Sequence, residues 1–237
     1  MQKRREKRYL YETHCHTSPV SACAKWSPEE LVDCYIQKGY DGVMITDHFF
    51  NGNCGIDRAL PWQEKVEQFC KGYERAKAHG DRLGFAVFFG FEYNRRGAEF
   101  LIYGVDKQWL LQHEDIMEMS IPQLYALVCE SGGVMIQAHP FRRASYLENI
   151  CLYPEYCDGI EAVNTANMRE YNENAIWYAK RFSLFMTCGS DSHWSGRENL
   201  GGVYLPQRLD SIIEYVHIIK SKEHIDMYIE SGEGYAL

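Results

Sequence analysis

The sequence predicts a single-domain α/β barrel, and three observations lead there. Short apolar runs of strand character alternate with helix-length amphipathic segments along the whole 237 residues, the pattern of a mainly parallel sheet with crossover helices. With 46% hydrophobic and 14% aromatic residues the chain can bury a full core. The number of strand-like runs and the total length favour a closed or nearly closed barrel over an open sheet. No repeat, low-complexity stretch or linker divides the chain, so residues 9–237 read as one domain behind a basic tail at residues 1–8.

The first strand is the aromatic-rich run from Tyr9, which ends in His14-Cys15-His16. Ser27-Pro28-Glu29-Glu30 then starts a helix, with Ser27 as N-cap, proline at the first position and Glu30 completing a capping box. Gly39 suits the left-handed C-terminal position. Gly42 to Thr46 follows as a short buried strand running into Asp47-His48. The polar, turn-rich stretch from Asn51 to Ile56 suits a loop over a site. One helix is expected from about Trp62 to His79, and the very apolar Phe85 to Phe91 reads as a central strand ending on Glu92. Phe100 to Tyr103 is a further strand with Glu99 at its start. A helix near Ile121 to Glu130 and a strand from Val134 to Gln137 lead to His139-Pro140. In the last third, Gly159 to Val163 and Leu184 to Cys188 are strands around a helix from Tyr171 to Arg181, and the second strand enters Gly189-Ser190-Asp191-Ser192-His193. A strand from Gly201 to Leu205 and a helix from about Asp210 to Ser221 complete the pattern.

The net charge of -8 disfavours a surface that grips duplex DNA by bulk electrostatics, and Lys3-Arg4-Arg5 with Lys7-Arg8 reads as a solvated tail. A small phosphorylated substrate needs only a few local arginines and stays compatible. Nine cysteines without a Cys-x-x-Cys pair or secretory context suggest reduced, mostly buried thiols. No apolar run approaches the roughly 20 residues that span a bilayer, and no apolar signal follows the initial charges, so a cytosolic protein without membrane contact is expected.

Two imidazoles two residues apart on extended backbone point to one side and can converge on one metal ion, with Cys15 facing the other way. The same situation recurs where apolar runs lead into Asp47-His48, Glu92, His139 and Asp191-x-His193, all residue types able to hold divalent transition metals. A carboxylate such as Glu92, following almost unbroken apolar sequence, is costly to bury without a cation beside it. In a barrel the C-terminal strand ends share one mouth, where most of these residues would sit. His79, His113, His217 and His224 lie in polar or helical contexts and are not candidates.

These motifs, His14-Cys15-His16-Thr17, Thr46-Asp47-His48, Gly90-Phe91-Glu92, Ala138-His139-Pro140 and Gly189-Ser190-Asp191-Ser192-His193, resemble in kind and order those of the PHP (polymerase and histidinol phosphatase) domain family of metal-dependent phosphoesterases. The resemblance spans nearly the whole chain. It implies a distorted (β/α)7 TIM-like barrel with two to three divalent ions, zinc, manganese or iron, at the mouth. By it, His14, His16, Glu92 and Asp191 hold one ion, Glu92 bridges to a second that His139 also binds, and His48 and His193 belong to a third. Glu99 stands where many relatives have a histidine and can fill the same place. After His16, where relatives often supply another histidine or aspartate, only Cys23 offers a strong ligand, and an inert thiol is an equal reading.

The implied activity is hydrolysis of a phosphate ester by a hydroxide shared between two ions bridged by Glu92, with Asp47 and His193 as further catalytic candidates. Arg142, Arg143 and Arg197 are candidates for holding the phosphate, each with a plain surface ion pair as the competing role. Trp194 could stack on a substrate ring or only cap the barrel. The substrate class is a small phosphorylated metabolite or the end of a short single-stranded nucleic acid, a histidinol-phosphatase-like or nucleotidase-like activity. Two alternatives stay open: a non-catalytic metal-stabilised domain, and a metal-dependent barrel hydrolase acting on a non-phosphate substrate.

Overall fold

In the computed structural model, which describes residues 7–145, 147, 149–196, 199–232 and 234–235, nine strands form one mixed sheet curled into a nearly closed α/β barrel. β1 (Tyr9–Cys15), β2 (Gly42–Ile45) and β3 (Ala86–Arg95) are parallel neighbours. β3 turns back through Arg96 and Gly97, both at positive φ, into the antiparallel β4 (Ala98–Tyr103). β5 (Val134–Ala138) is antiparallel to β4, and β6 (Gly159–Asn164) and β7 (Phe185–Gly189) continue parallel to β5. On the other side of β1 lie β8 (Gly201–Leu205) and β9 (Asp226–Ile229), each antiparallel to its neighbour.

The barrel is drawn together where the chain leaving β7 meets the end of β1. There the Asp191 amide donates to the His14 carbonyl at 2.8 Å and the His16 amide to the Ser192 carbonyl at 3.0 Å. Strands of mixed direction replace the mainly parallel sheet expected, because the β3–β4 connection is a tight hairpin with no crossover helix.

α1 (Pro28–Gln37) opens with the expected capping box, Ser27 Oγ accepting from the Glu30 amide and Glu30 Oε2 from the Ser27 amide. Gly39 takes the expected left-handed backbone at φ 79°. The single helix expected after Trp62 is two, α2 (Trp62–Phe69) and α3 (Lys71–Leu83), meeting at Cys70. Their buried faces differ: α2 packs Val66 and Phe69 into an aromatic cluster with Phe49, Phe50 and Phe91, whereas α3 buries Gly72, Ala76 and Gly80. α4 (Lys107–Gln112), a 3-10 turn at Glu114–Glu118 and α5 (Ile121–Glu130) link β4 to β5. α6 (Arg169–Phe182) and α7 (Ile212–Ser221) precede β7 and β9. Core side chains gather as Tyr11, Met44, Leu101, Ile136 and Val203 across the sheet, as the aromatic cluster beneath α2, α4 and α5, and as Leu31, Val43 and Val87 beneath α1 and α3.

This topology decides what reaches the mouth. β1, β2, β3, β5 and β7 deliver their C-terminal ends there, and the reversed β4 delivers its start, which is why Glu99 rather than Tyr103 faces the same space as Glu92 and His139. At the N-terminus, Arg8 ion-pairs with Asp226 and the Lys7 ammonium lies 5.0 Å from the centre of the Tyr9 ring, while Lys3, Arg4 and Arg5 lie outside the described residues. No described helix is long and apolar enough to cross a membrane.

Candidate metal centre

His14 and His16, on the end of β1, are completely buried, and their Nε2 atoms face Glu92 and Asp191. His14 Nε2 is 3.4 Å from Glu92 Oε1 and 3.5 Å from Asp191 Oδ1, and His16 Nε2 is 3.6 Å from Glu92 Oε2 and 3.2 Å from Asp191 Oδ1. His139, beyond β5, points Nε2 at Glu92 Oε1 (3.1 Å) and Glu99 Oε2 (3.5 Å). His48, beyond β2, puts Nδ1 2.7 Å from Glu92 Oε2, and its Nε2 is 3.5 Å from His193 Nε2. Glu92 is therefore the hub, with four imidazoles around one buried carboxylate.

Hydrogen bonds on the far sides of the rings decide which nitrogens carry protons. His14 Nδ1 lies 2.9 Å from Glu161 Oε1 and His193 Nδ1 is 2.9 Å from the Asp191 carbonyl oxygen, so each Nδ1 faces an oxygen acceptor. Ser21 Oγ donates to Asp47 Oδ1 and accepts from the His48 amide, so its remaining lone pair takes a proton from His16 Nδ1 at 3.2 Å. In their neutral form all three rings therefore carry the proton on Nδ1 and turn the Nε2 lone pair inward.

The residues fit a metal centre on two counts. His14 Nε2 and His16 Nε2 are completely buried yet make no hydrogen bond, an unusual pair of unsatisfied nitrogens. Two ligands on one ion, at bond lengths of about 2.0–2.2 Å and tetrahedral angles, stand roughly 3.4 Å apart. The 3.2–3.6 Å gaps around His14, His16, Glu92 and Asp191 have that spacing. Four overlapping groups could each hold an ion: His14 with His16 and Glu92, His14 with His139 and Asp191, His48 with Glu92 and Glu99, and His16 with His48 and His193.

Electrostatics divide the centre. Burial opposes protonation of His14, but the charges of Glu161, Asp191 and Glu92 outweigh it and hold its pKa well above the usual histidine range. Burial, then the neighbouring His48 and His193, hold His16 well below that range. Burial opposes ionisation of Glu92 and Asp191, yet His14 and His48 around the first, and Arg142 and His14 around the second, keep both carboxyls well below the ordinary value. Glu99 moves the other way, raised by burial and then by the charge of Glu92. Two of these residues also sit on left-handed backbone, His139 at φ 27° and Asp191 at φ 52°. Non-glycine residues so placed cost about 1–3 kcal/mol each and gather where function fixes the backbone.

A cleft of about 450 Å³ opens above the centre, lined by His48, Glu99, Asp191, His193, Cys23 and Arg142 among others. Arg142 donates from Nε to Asn167 Oδ1 at 2.8 Å, and its Nη2 lies 2.6 Å from Asp191 Oδ2. Cys23 stands outside the four ligand groups but lines the cleft together with His193 and His48. Burial opposes ionisation of its thiol, and the neighbouring His193 and His48 outweigh burial to bring its pKa down to about 6. Asp47 is buried below the centre with both oxygens taken, by the Thr17 amide and hydroxyl and the Ser21 hydroxyl, and burial pushes its pKa up to about 6. Arg143 is exposed and does not line this cleft, and Arg197 lies outside the described residues. Trp194 is half exposed, with the Lys25 ammonium 5.8 Å from its ring centre.

Three buried residues were not anticipated. Glu161, on β6, holds His14 and accepts from the His139 amide and from Asn164. Glu12, on β1, accepts from the amides of His14 and Ser190 and the hydroxyls of Tyr35 and Ser190, tying the His-x-His strand to the loop that carries Asp191. Ser21 joins His16, His48 and Asp47. A carboxylate isolated within apolar strand sequence, the signal that singled out Glu92, is equally present at Glu161 and Glu12.

Comparison with solved structures finds this arrangement of strands elsewhere. A two-domain protein from Bacteroides vulgatus containing a predicted PHP-like metal-dependent phosphoesterase superposes with a TM-score of 0.68 at 16% identity, over 94% of this chain and 65% of that one. The fold is that of the PHP-like phosphoesterases. A lesion-specific endonuclease from Pyrococcus furiosus matches this PHP-like barrel at TM-score 0.57 and 14% identity, over 93% of this chain and 58% of its own. An amidohydrolase from Chromobacterium violaceum, solved with bound sulfate and no metal, matches at TM-score 0.56 and 13% identity, over 88% of this chain and 96% of its own. The chain thus spans less than two thirds of the first two proteins. No family model matches the sequence, and no curated protein does.

Proposed function

We propose that this PHP-like barrel is a metal-dependent phosphoesterase that hydrolyses a phosphate ester of a small metabolite, a nucleotide or the end of a short single-stranded oligonucleotide. The observation that carries the proposal is the inward convergence of the unsatisfied Nε2 atoms of His14 and His16 on the Glu92 carboxylate, at ligand-to-ligand spacing beneath an open cleft. Two to three divalent ions held by His14, His16, His48, Glu92, Glu99, His139, Asp191 and His193 would supply Lewis-acid stabilisation of phosphoryl charge and activation of water.

The chain's own residues do the rest. Glu161 and Ser21 keep the Nδ1 protons of His14 and His16 on the outer side, so both rings present lone pairs. Arg142 holds one oxygen of Asp191 and lines the cleft, where its charge favours an anionic phosphoryl group. Asp47 acts as a positioning residue through Thr17 and Ser21, while His193 borders the cleft and can reach substrate. A cleft of about 450 Å³ suits a mononucleotide-sized substrate and not a duplex.

The amidohydrolase neighbour favours a second reading, hydrolysis of a carboxylic amide or ester. The cationic Arg142 in the cleft supports the phosphate reading over it. A screen of zinc- and manganese-loaded protein against phosphomonoesters, short oligonucleotides and carboxylic amides separates the two. Chelator-sensitive release of phosphate or nucleotide is the expected result, and amide hydrolysis without phosphate release would replace the proposal with the second reading.

A further inference from the structure

Arg142 is gripped from two sides. Its Nη2 lies 2.6 Å from Asp191 Oδ2, and its Nε donates to Asn167 Oδ1 at 2.8 Å. Asn167 is the first of three linked asparagines behind the cleft: Asn164 ends β6, Asn167 lies in the loop after it, and Asn172 is near the start of α6. A guanidinium only donates hydrogen bonds, so Asn167 turns its oxygen to Arg142 and its nitrogen away. That nitrogen donates to Asn172 Oδ1 at 3.3 Å, an oxygen that also accepts from the Asn164 amide at 3.1 Å. Asn172 Nδ2 in turn donates to the Asn164 carbonyl at 3.1 Å and to the Tyr235 hydroxyl at 2.9 Å. The direction of each bond in this chain follows from the charge at its head.

Asn172 is buried with both ends of its amide occupied, and it satisfies the amide and carbonyl of the buried Asn164 at once. The Asn167 amide also donates to the Asn164 carbonyl, at 3.0 Å, and Asn164 Nδ2 donates to Glu161 Oε2 at 2.8 Å. The loop is thereby anchored to the carboxylate that holds His14, which fixes Asn167 relative to the centre. Asn167 is half-buried and is not among the residues that line the cleft, whereas Arg142 is. Being neutral, it directs the guanidinium without adding a second negative charge to that of Asp191.

We propose that Asn167 is a positioning residue that holds the Arg142 guanidinium where it meets the phosphoryl group. The inference rests on the phosphoesterase reading and adds to it a determinant of substrate affinity. Without the bond to Nε, Arg142 keeps its contact with Asp191 but turns about it, and its charge is no longer aimed at one place. Substrate binding weakens, while the residues that face the metal centre are untouched.

The test is a double-mutant cycle on the metal-loaded full chain, combining Asn167→Ala with Arg142→Met. The readouts are kinetics on p-nitrophenyl phosphate and bis(p-nitrophenyl) phosphate, calorimetric binding of inorganic phosphate, and metal content. In the wild-type background Asn167→Ala is expected to raise KM and to weaken phosphate binding about 3- to 10-fold, the loss of one hydrogen bond, with kcat and metal content unchanged. In the Arg142→Met background the same substitution should have no further effect, because the group it positions is gone. An unchanged KM, an equal rise in KM in both backgrounds, or a loss of metal in place of the rise in KM overturns the positioning role and leaves the phosphoesterase reading standing. Wild-type protein that neither binds inorganic phosphate nor hydrolyses either ester overturns both.

Discussion

Glu161 Oε1 and His14 Nδ1 lie 2.9 Å apart, both completely buried, and this contact fixes the ring of a strand histidine with its Nε2 facing Glu92 and Asp191. A carboxylate behind an imidazole fixes the tautomer and raises the basicity of the opposite nitrogen. Glu161→Gln preserves the shape and removes the charge. Zinc affinity, measured by chelator competition, should fall about 10- to 100-fold while circular dichroism is unchanged. An affinity equal to wild type would mean that His14 is not a ligand or needs no orientation.

The same contact can be disturbed from the other side. A Cβ on Gly189 would stand 2.6 Å from His14 Cβ and 2.7 Å from Glu161 Oε1, closer than packing allows. Gly189→Ala should therefore cost about 1–3 kcal/mol of stability, the usual range for overpacking, and weaken zinc binding at the same time. Denaturant unfolding with a metal titration checks both, and a loss of stability with wild-type zinc affinity would uncouple the two.

Ligand imidazoles must be neutral to bind, so metal uptake releases protons. In the metal-free protein His14 and His48 are held well above the usual pKa, His14 by Glu161, Asp191 and Glu92 against burial, and His48 by Glu92 against burial. Protons and zinc compete there, and the competition weakens as the pH rises. Zinc affinity should climb from pH 6 to pH 8, and calorimetry in buffers of different ionisation enthalpy should detect proton release on binding. A pH-independent affinity would contradict this.

Arg142 tests the substrate class. If its guanidinium meets the phosphoryl group, Arg142→Met should raise KM for phosphate esters about 10- to 100-fold, the loss of one charged hydrogen bond, and weaken inhibition by inorganic phosphate. Because Arg142 also pairs with Asp191, metal content must be measured alongside. A large KM change with full metal content is the expected pattern, and an unchanged KM would assign Arg142 to holding Asp191 alone.

Much of this was legible in the sequence because strand periodicity and strand-end chemistry are local. The His-x-His at β1, the capping box of α1 and the glycine after it follow from neighbouring residues, and the structure has them where those residues imply. Strand direction was not legible at β4, because Arg96-Gly97 makes a tight hairpin whereas the apolar run after it reads the same in either direction. The short β9 was missed because its residues, all only partly buried, carry a weak alternation at the sheet edge. In the centre, the buried residues that hydrogen-bond the candidate ligands went unread. Glu161 and Ser21 matter through partners distant in sequence or through a hydroxyl, and Asp47, adjacent to His48, turns beneath the centre to Thr17.

The central claim is that His14, His16, Glu92 and Asp191 enclose a divalent ion. Anomalous diffraction from crystals grown with zinc, recorded above and below the zinc edge, reads this directly. The expected result is a strong zinc peak within about 2.0–2.2 Å of both Nε2 atoms and of a carboxylate oxygen, with further peaks shared through Glu92. A map in which these four side chains surround no anomalous peak, while zinc saturates other sites, would contradict the account.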